Sequence, residues 1–493
     1  MLNYLGAYFK GDCLRKIALV GLNEITKISE IEALIKSNAN AILFIIPNGP
    51  YKLIFEKLVN EIQIFLSQQK IFLPVYFTYE TDELKTIYEE LKKEYEYYQK
   101  TENKSENKDS SKKSLLDFLN IKESYLHFSL SVKEPKLKKS LNLENIYGFL
   151  EVPSQNGSPN PIIAIVAHYD TLGIISDLPQ GINSNGSGII ALLELIRIIS
   201  KIYENYESVI KYDIIFVLTA GGNENFKGTE YFINNLEPSI SENLQYVLCL
   251  DSIGSLNEKD NLFLHLSRFP REYEVTPNKL YSIFNTTAKN MDINLNYIKK
   301  KVFLSEDFVP WEHEQFSKKK IISATLSTLM APPEDIFTRN LFTDVDMDLN
   351  VVSKNIKFIV ESLLEFLFDY DNANFTIFKD DKTLIDSKNL ETMYNYLKKT
   401  PRFPLSIERG SKFNNDMFSY FNSYLQRVKR ESFEFNEIQF YENNSGDIKI
   451  YTVKSKIIDL YLLLGILIYL LLIYVYIKGI SGTFSDIKSI FSE

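Results

Sequence analysis

The sequence predicts an α/β protein: a doubly wound, mostly parallel sheet, joined by a small N-terminal α/β unit, a C-terminal helical and hairpin region, and one transmembrane helix. Three observations carry that expectation. Apolar runs of strand length, "PIIAIVAHYD", "YDIIFVLTA" and "YVLCLD", are interleaved with "IIALLELIRIIS", whose apolar spacing is helical. Strand, loop, helix and strand in that order imply parallel strands with helices on both faces. Finally, "IIDLYLLLGILIYLLLIYVYI", Ile457 to Ile477, carries no charge between Asp459 and Lys478, and a bilayer span needs roughly 20 apolar residues.

In chain order, residues 1–100 read as the N-terminal α/β unit. "NAILFIIP" and "IFLPVYFTY" have strand character, while "YKLIFEKLVNEIQIFLSQQ" and "TDELKTIYEELKKEYEYYQK" are helical. Residues 101–114, "TENKSENKDSSKKS", hold no apolar side chain and are expected to be a linker. The doubly wound domain follows over 115–370, beginning with strands "YLHFSLSV" and "ENIYGFLEV". Residues 371–455 suggest helices around "LETMYNYLKK" and "MFSYFNSYLQRVKR" and a hairpin about "ENNSGD". The span at 457–477 leaves a short tail, 478–493. Tyr461, Tyr474 and Tyr476 near its ends suit the membrane interfaces.

Composition excludes several function classes. A formal charge of -9 argues against a chain that grips a phosphate backbone, so nucleic acid is not an expected partner. Two cysteines, Cys13 and Cys249, leave no disulfide framework or cysteine-rich metal site. "HEQFS" starts like a zincin helix, but Ser317 stands where the second histidine belongs. No G-x-S-x-G elbow and no phosphate-binding glycine loop of the required form occurs. The lysines at 318–320 read as a solvated turn.

The informative residues close strands. Of four histidines, His168 ends a buried run with Asp170 two residues on, a pattern that orients a metal-binding imidazole through a carboxylate. Asp251 closes "YVLCLD", and His313 sits in "WEHEQF". Read in order, "AHYD", "GINSNGSG", "ALLEL", "LCLDSIG" and "WEHEQF" resemble the zinc aminopeptidase and glutamate carboxypeptidase family, over nearly the whole chain. Within it they resemble a membrane-anchored branch of the endoplasmic reticulum with a degenerate active site. The resemblance implies a zinc-aminopeptidase type of sheet. It also places the family's metal-ligand positions on His168, Asp251 and His313, the bridging carboxylate on Ser184, the general base on Gly222 and a metal-binding Glu on Asn223.

Glycine cannot accept a proton, and neutral serine and asparagine are poor substitutes for anionic ligands. The expectation is therefore no metal, no cofactor and no catalysis. A one-residue slip would hand the place of Asn223 to Glu224, still without bridge or base. Alternatively, His168 and Asp251 hydrogen-bond each other across strand ends and His313 caps a turn. As partners the resemblance implies a nodal modulator protein, a small multi-spanning membrane protein and the translocon. A residual single-metal peptidase and a substrate gatekeeper for an intramembrane protease are the competing readings.

Sidedness is read from two signals that disagree. "MLNYLGAYFKGDCLRKIALV" has no apolar core of signal-peptide length, which taken literally describes a tail anchor facing the cytosol. Sequons at Asn103, Asn156, Asn185, Asn285, Asn374 and Asn443 fit a lumenal face. The resemblance implies the endoplasmic reticulum membrane, with the bulk of the chain in the lumen.

Overall fold

The computed structural model describes residues 3–4, 17–36, 39–49, 53–68, 71–105, 125–132, 136–154, 157–173, 179–256, 260–306, 308–332, 342–368, 385–436, 440–442, 446–453 and 456–490. The chain divides into two units, one of residues 1–50, 70–134 and 445–493, the other of 51–69 and 135–444.

The larger unit is built on eight strands: β1 (Leu141–Leu150), β2 (Ile162–His168), β3 (Asp213–Thr219), β4 (Leu244–Leu250), β5 (Asn261–Leu266), β6 (Asn294–Lys299), β7 (Ser323–Ser327) and β8 (Gln426–Phe435). Their order across the sheet is β6-β5-β7-β4-β2-β3-β1-β8. The four central strands β7, β4, β2 and β3 are mutually parallel. Antiparallel pairings of β5 with β7 and of β1 with β3 and β8 flank them, and β6 adds to β5 in parallel.

Strand residues alternate between two cores, as a period of two requires. In β2, Ile163, Ile165 and Ala167 join one core while Ile162, Ala164 and Val166 join the other. The first core packs helices α1 (Ser187–Tyr206), α3 (Val275–Asn290) and α5 (Leu349–Leu367). The second packs α2 (Lys227–Asn234) and α4 (His313–Lys318) through Phe232 and Phe316. Helices on both faces make the sheet doubly wound, which is why its strands read as unbroken apolar runs. Helix α1 can approach β4 so closely because residue 188 is glycine: a Cβ there would lie 2.6 Å from Leu250 O.

Two details differ from the sequence expectation. The helix expected through "MFSYFNSYLQRVKR" ends at Tyr424 in α6 (Lys412–Tyr424), and the following residues form β8 on the outside of β1. The strands around "ENNSGD" also do not pair as a hairpin. Phe440–Glu442 pairs with Lys136–Lys138, and Gly446–Val453 pairs with Tyr125–Val132, all antiparallel. Earlier strands with unpaired backbone groups compete with a local turn for the same hydrogen bonds.

The smaller unit holds a parallel sheet of Asn3–Tyr4, Ile17–Gly21, Ala41–Ile46 and Val75–Tyr79. Its core joins Leu19, Leu43, Leu91 and Phe128, with Ile448 and Ile450 packed against them. The helix Asp82–Ser105 runs into the stretch expected as a linker, of which 106–114 lies outside the described residues. The C-terminal helix spans Lys456–Ile490 with a break at Gly479, whose φ is 72°. Its segment Leu460–Gly479, mean hydropathy 2.6, is the candidate membrane span.

Candidate functional site

Because β2, β3 and β4 are parallel neighbours, their carboxyl ends open on one side, the usual place for chemistry in such sheets. His168 ends β2 and is fully buried. The loop after β3 runs from Ala220 to Phe226 and meets it directly. A Cβ added to Gly222 would lie 2.4 Å from His168 Cδ2, 2.6 Å from Cγ and 2.7 Å from Cβ. Non-bonded carbons settle at about 3.5–4.0 Å. The imidazole thus occupies the space into which a side chain at 222 would extend.

Neither ring nitrogen of His168 has a hydrogen-bond partner, so the expected bond to Asp251 is not made. Asp251 instead accepts from the hydroxyl of Ser252 at 2.8 Å, a residue held at φ 53°. Around the imidazole stand Phe226, edge-on with centroids 5.3 Å apart, and Glu312, whose Oε2 lies 3.7 Å from Nδ1. The other carboxylate oxygen of Glu312 accepts from Thr219 Oγ1 at 2.7 Å and Thr229 Oγ1 at 2.6 Å. Glu312 adjoins His313 in "WEHEQF", where nothing in the spacing of the sequence sets it apart.

Asp170 does not serve as the carboxylate behind His168. Its Oδ1 accepts from Gly222 N at 2.7 Å, and its Oδ2 from Asn223 N at 3.4 Å and Asn223 Nδ2 at 3.3 Å. The amide of Asn223 also donates to Asp170 O at 2.7 Å. Asp170 and Asn223 are therefore committed to tying the loop to the end of β2, and Glu224 is buried beside them. The loop ends in two successive left-handed residues, Asn225 at φ 61° and Phe226 at φ 55°. A bulky residue in that region stores on the order of 1–3 kcal/mol of strain. Offsetting bonds come from Val309 N to Asn225 Oδ1 at 2.7 Å and Gln315 Nε2 to Asn225 O at 2.6 Å.

Ser184 lies in the loop before α1, within a turn Ile182–Gly186 of π type. The amides of Asn183 and Ser184 donate to the Asp344 carboxylate at 2.8 and 2.9 Å. Ser184 O accepts from Ser252 N at 3.0 Å, which links this loop to the end of β4. Beneath it lies Arg402, 1% exposed. The guanidinium donates to Asn185 Oδ1 at 2.7 Å, Tyr169 O at 3.2 Å, Gly181 O at 3.2 Å and Gln180 O. Burial pushes Arg402 down to about 10, against the pull of Asp344 and Asp170, so it remains a cation at neutral pH. Burial raises the Asp344 carboxyl, partly countered by the two loop amides.

His313 is also buried, and its Nδ1 lies 2.9 Å from Thr325 Oγ1 on β7, so it bonds to a strand rather than capping a turn. Burial, then His265 and Lys300, push its pKa down to about 3. It is a neutral imidazole at any ordinary pH. The structure thus joins His168 to Gly222, Asp170 to Asn223, and Ser184 through Ser252 to Asp251.

A two-zinc centre does not fit these residues. Among the described residues no group of three or more His, Cys, Asp or Glu side chains is placed to hold a metal ion. At these strand ends the Asp170 carboxylate is engaged by loop amides, and one oxygen of Glu312 by two threonine hydroxyls.

Comparison with known proteins gives the context. Residues 145–335 match the family model of Peptidase family M28. "BOS complex subunit ncln" of Danio rerio is 26% identical over 478 residues, covering 90% of this chain and 80% of that protein. "BOS complex subunit NCLN" of Homo sapiens is 28% identical over 348 residues, 67% of this chain and 61% of that one. "Nicalin" of Caenorhabditis elegans is 26% identical over 393 residues, covering 73% and 68%. Among solved structures, the gamma-secretase component nicastrin superposes with a TM-score of 0.59 at 10% identity, covering 92% of this chain and 94% of that one. That likeness shows a shared fold.

Proposed function

We propose that this homologue of nicalin is a catalytically inactive pseudo-peptidase. In this reading it is a membrane-anchored scaffold subunit of an endoplasmic reticulum complex, alongside a nodal modulator protein and a small multi-spanning membrane protein, and associated with the translocon that inserts multi-span membrane proteins. Gly222, Ser184 and Asn223 stand at the positions of base, bridging carboxylate and metal-binding Glu, and His168, Asp251 and His313 are remnants of a ligand set. The observation that carries the inactive half is the packing of His168 against Gly222, which excludes a carboxylate from the base position. Support for the scaffold half comes from the relatives named as subunits of a complex and from the apolar helix Leu460–Gly479.

Co-purification from its native membrane in mild detergent tests the scaffold reading, and a chain that migrates alone would refute it. A lumenal placement is supported by the exposed sequon at Asn285, whereas Asn185 is fully buried and contributes nothing. The residual-peptidase reading draws on one observation, the unpartnered imidazole of His168. Stoichiometric zinc lost in His168→Ala, together with chelator-sensitive amide hydrolysis, would establish it in place of the scaffold.

A further inference from the structure

The outermost strand of the large sheet is β6, and among the described residues no strand pairs with its outer side. Its inner side is fixed by Asn294 N donating to Asp260 O at 2.9 Å and Lys300 N to Leu266 O at 3.0 Å. Backbone groups alternate in direction along a strand, so Leu295, Tyr297 and Lys299 turn theirs outward. Leu295 N is used locally by Ile293 O at 3.1 Å. The amides of Tyr297 and Lys299 therefore face away from the sheet.

Natural edges are blunted by proline, a bulge, a cover or charge, lysine above all; of these β6 carries only lysine, which repels a second copy of the same edge and leaves it open to an acidic strand. Asn294–Lys299 contains no proline, and its register with β5 runs without a shift. What marks it is charge. Lys299, Lys300 and Lys301 follow one another at its end, all exposed, in a chain of net charge -9. Lys299 Nζ lies 6.0 Å from the centroid of the Phe269 ring and Lys301 Nζ 5.2 Å from that of Phe303. Both rings are 51% exposed. Lys318 Nζ donates to Glu306 O at 2.7 Å, which brings the second lysine triplet to the same loop.

An open edge, a cationic end and two exposed aromatic rings are what a strand-adding partner needs: backbone bonds for affinity, side-chain contacts for selectivity. We propose that β6 receives an extended acidic segment of a partner protein as a ninth strand. Its backbone pairs with Tyr297 and Lys299, its carboxylates face the lysines, and an apolar side chain packs on Phe269 and Phe303. The inference rests on the scaffold reading and assigns it a surface.

The test uses the full chain in mild detergent and a fluorescein-labelled peptide of alternating valine and glutamate, with alternating valine and lysine as control. Fluorescence anisotropy should show saturable binding of the glutamate peptide alone. Lys299→Ala removes one charge, whereas Lys299→Pro also removes an outward N–H and leaves the β5-facing amides intact. Proline should weaken binding about tenfold beyond alanine, the size of one lost hydrogen bond. Should Lys299→Pro lower the thermal transition, the double charge reversal Lys299→Glu/Lys301→Glu replaces it and should transfer binding to the lysine peptide. Absence of saturable binding, equal affinities of the alanine and proline variants, or a wild-type dimer by light scattering that the proline variant loses would each overturn the proposal. The peptide assay reads the edge whether or not partners co-purify, so its failure is distinct from failure of the scaffold reading.

Discussion

Gly222→Ala offers the sharpest test of the site's geometry. The added methyl would meet three atoms of His168 at 2.4, 2.6 and 2.7 Å, roughly 1 Å inside the ordinary carbon–carbon contact distance. One of those atoms is His168 Cβ, which a rotamer change cannot move. The ring itself is fully buried and backed by Phe226 and Glu312. Overpacking of this kind destabilises by about 1–3 kcal/mol, and the absence of free space places this site toward the upper end. For a domain of this size each kcal/mol shifts the midpoint by about 2–4 °C, so calorimetry should show a fall on the order of 5–10 °C. The effect should also be non-additive with His168→Ala, because removing the ring relieves two of the three clashes. A Gly222→Ala protein within about 0.5 kcal/mol of wild type, the scatter of neutral surface changes, would refute the packing argument.

Other predictions concern charge. Arg402→Met should destabilise by about 3–5 kcal/mol in urea titrations, because Asp344 and Asp170 lose their buried counter-charge; a change under 1 kcal/mol would show that the guanidinium is not holding the loops. His313 has a folded pKa of about 3, below its unfolded value, so the unfolded chain binds the extra proton and stability falls as pH drops from about 6.5. Between pH 7 and 5 wild type should lose about 2 kcal/mol more than His313→Asn, read from parallel denaturant titrations; parallel profiles would contradict the assigned burial. Glycosidase treatment of membrane-derived protein should shift mobility through Asn285 and not through Asn185. Asn285→Gln should then abolish one shift, and Asn185→Gln should lower stability without changing the band.

Sequence reasoning reached the strands because both faces of the sheet are covered, which leaves "PIIAIVAH" and "YDIIFVLT" almost wholly apolar. It reached the polar residues at their carboxyl ends for the same reason: in such runs the first charged or imidazole side chain marks the strand's end. It could not reach Arg402. That residue stands in "TPRFP" between two helices, and its acceptors are mainly backbone carbonyls more than 200 residues away, which no side-chain pattern announces. Asp344 was hidden likewise, since it caps the loop before α1 through backbone amides 160 and 161 positions distant. The first five residues of β8, Gln426–Arg430, fall in the stretch expected as helix, and only antiparallel pairing with β1 decides the matter.

The closeness of Gly222 to the His168 ring also limits what position 222 can become. Any side chain there, a carboxylate included, would meet the imidazole and the His168 Cβ before it reached anything else. On the reading proposed above, a chain that acquired glutamate at 222 would suffer that collision ahead of any gain, so loop and ring would have to change together. One neighbour's bulk thus keeps the position closed to single substitutions.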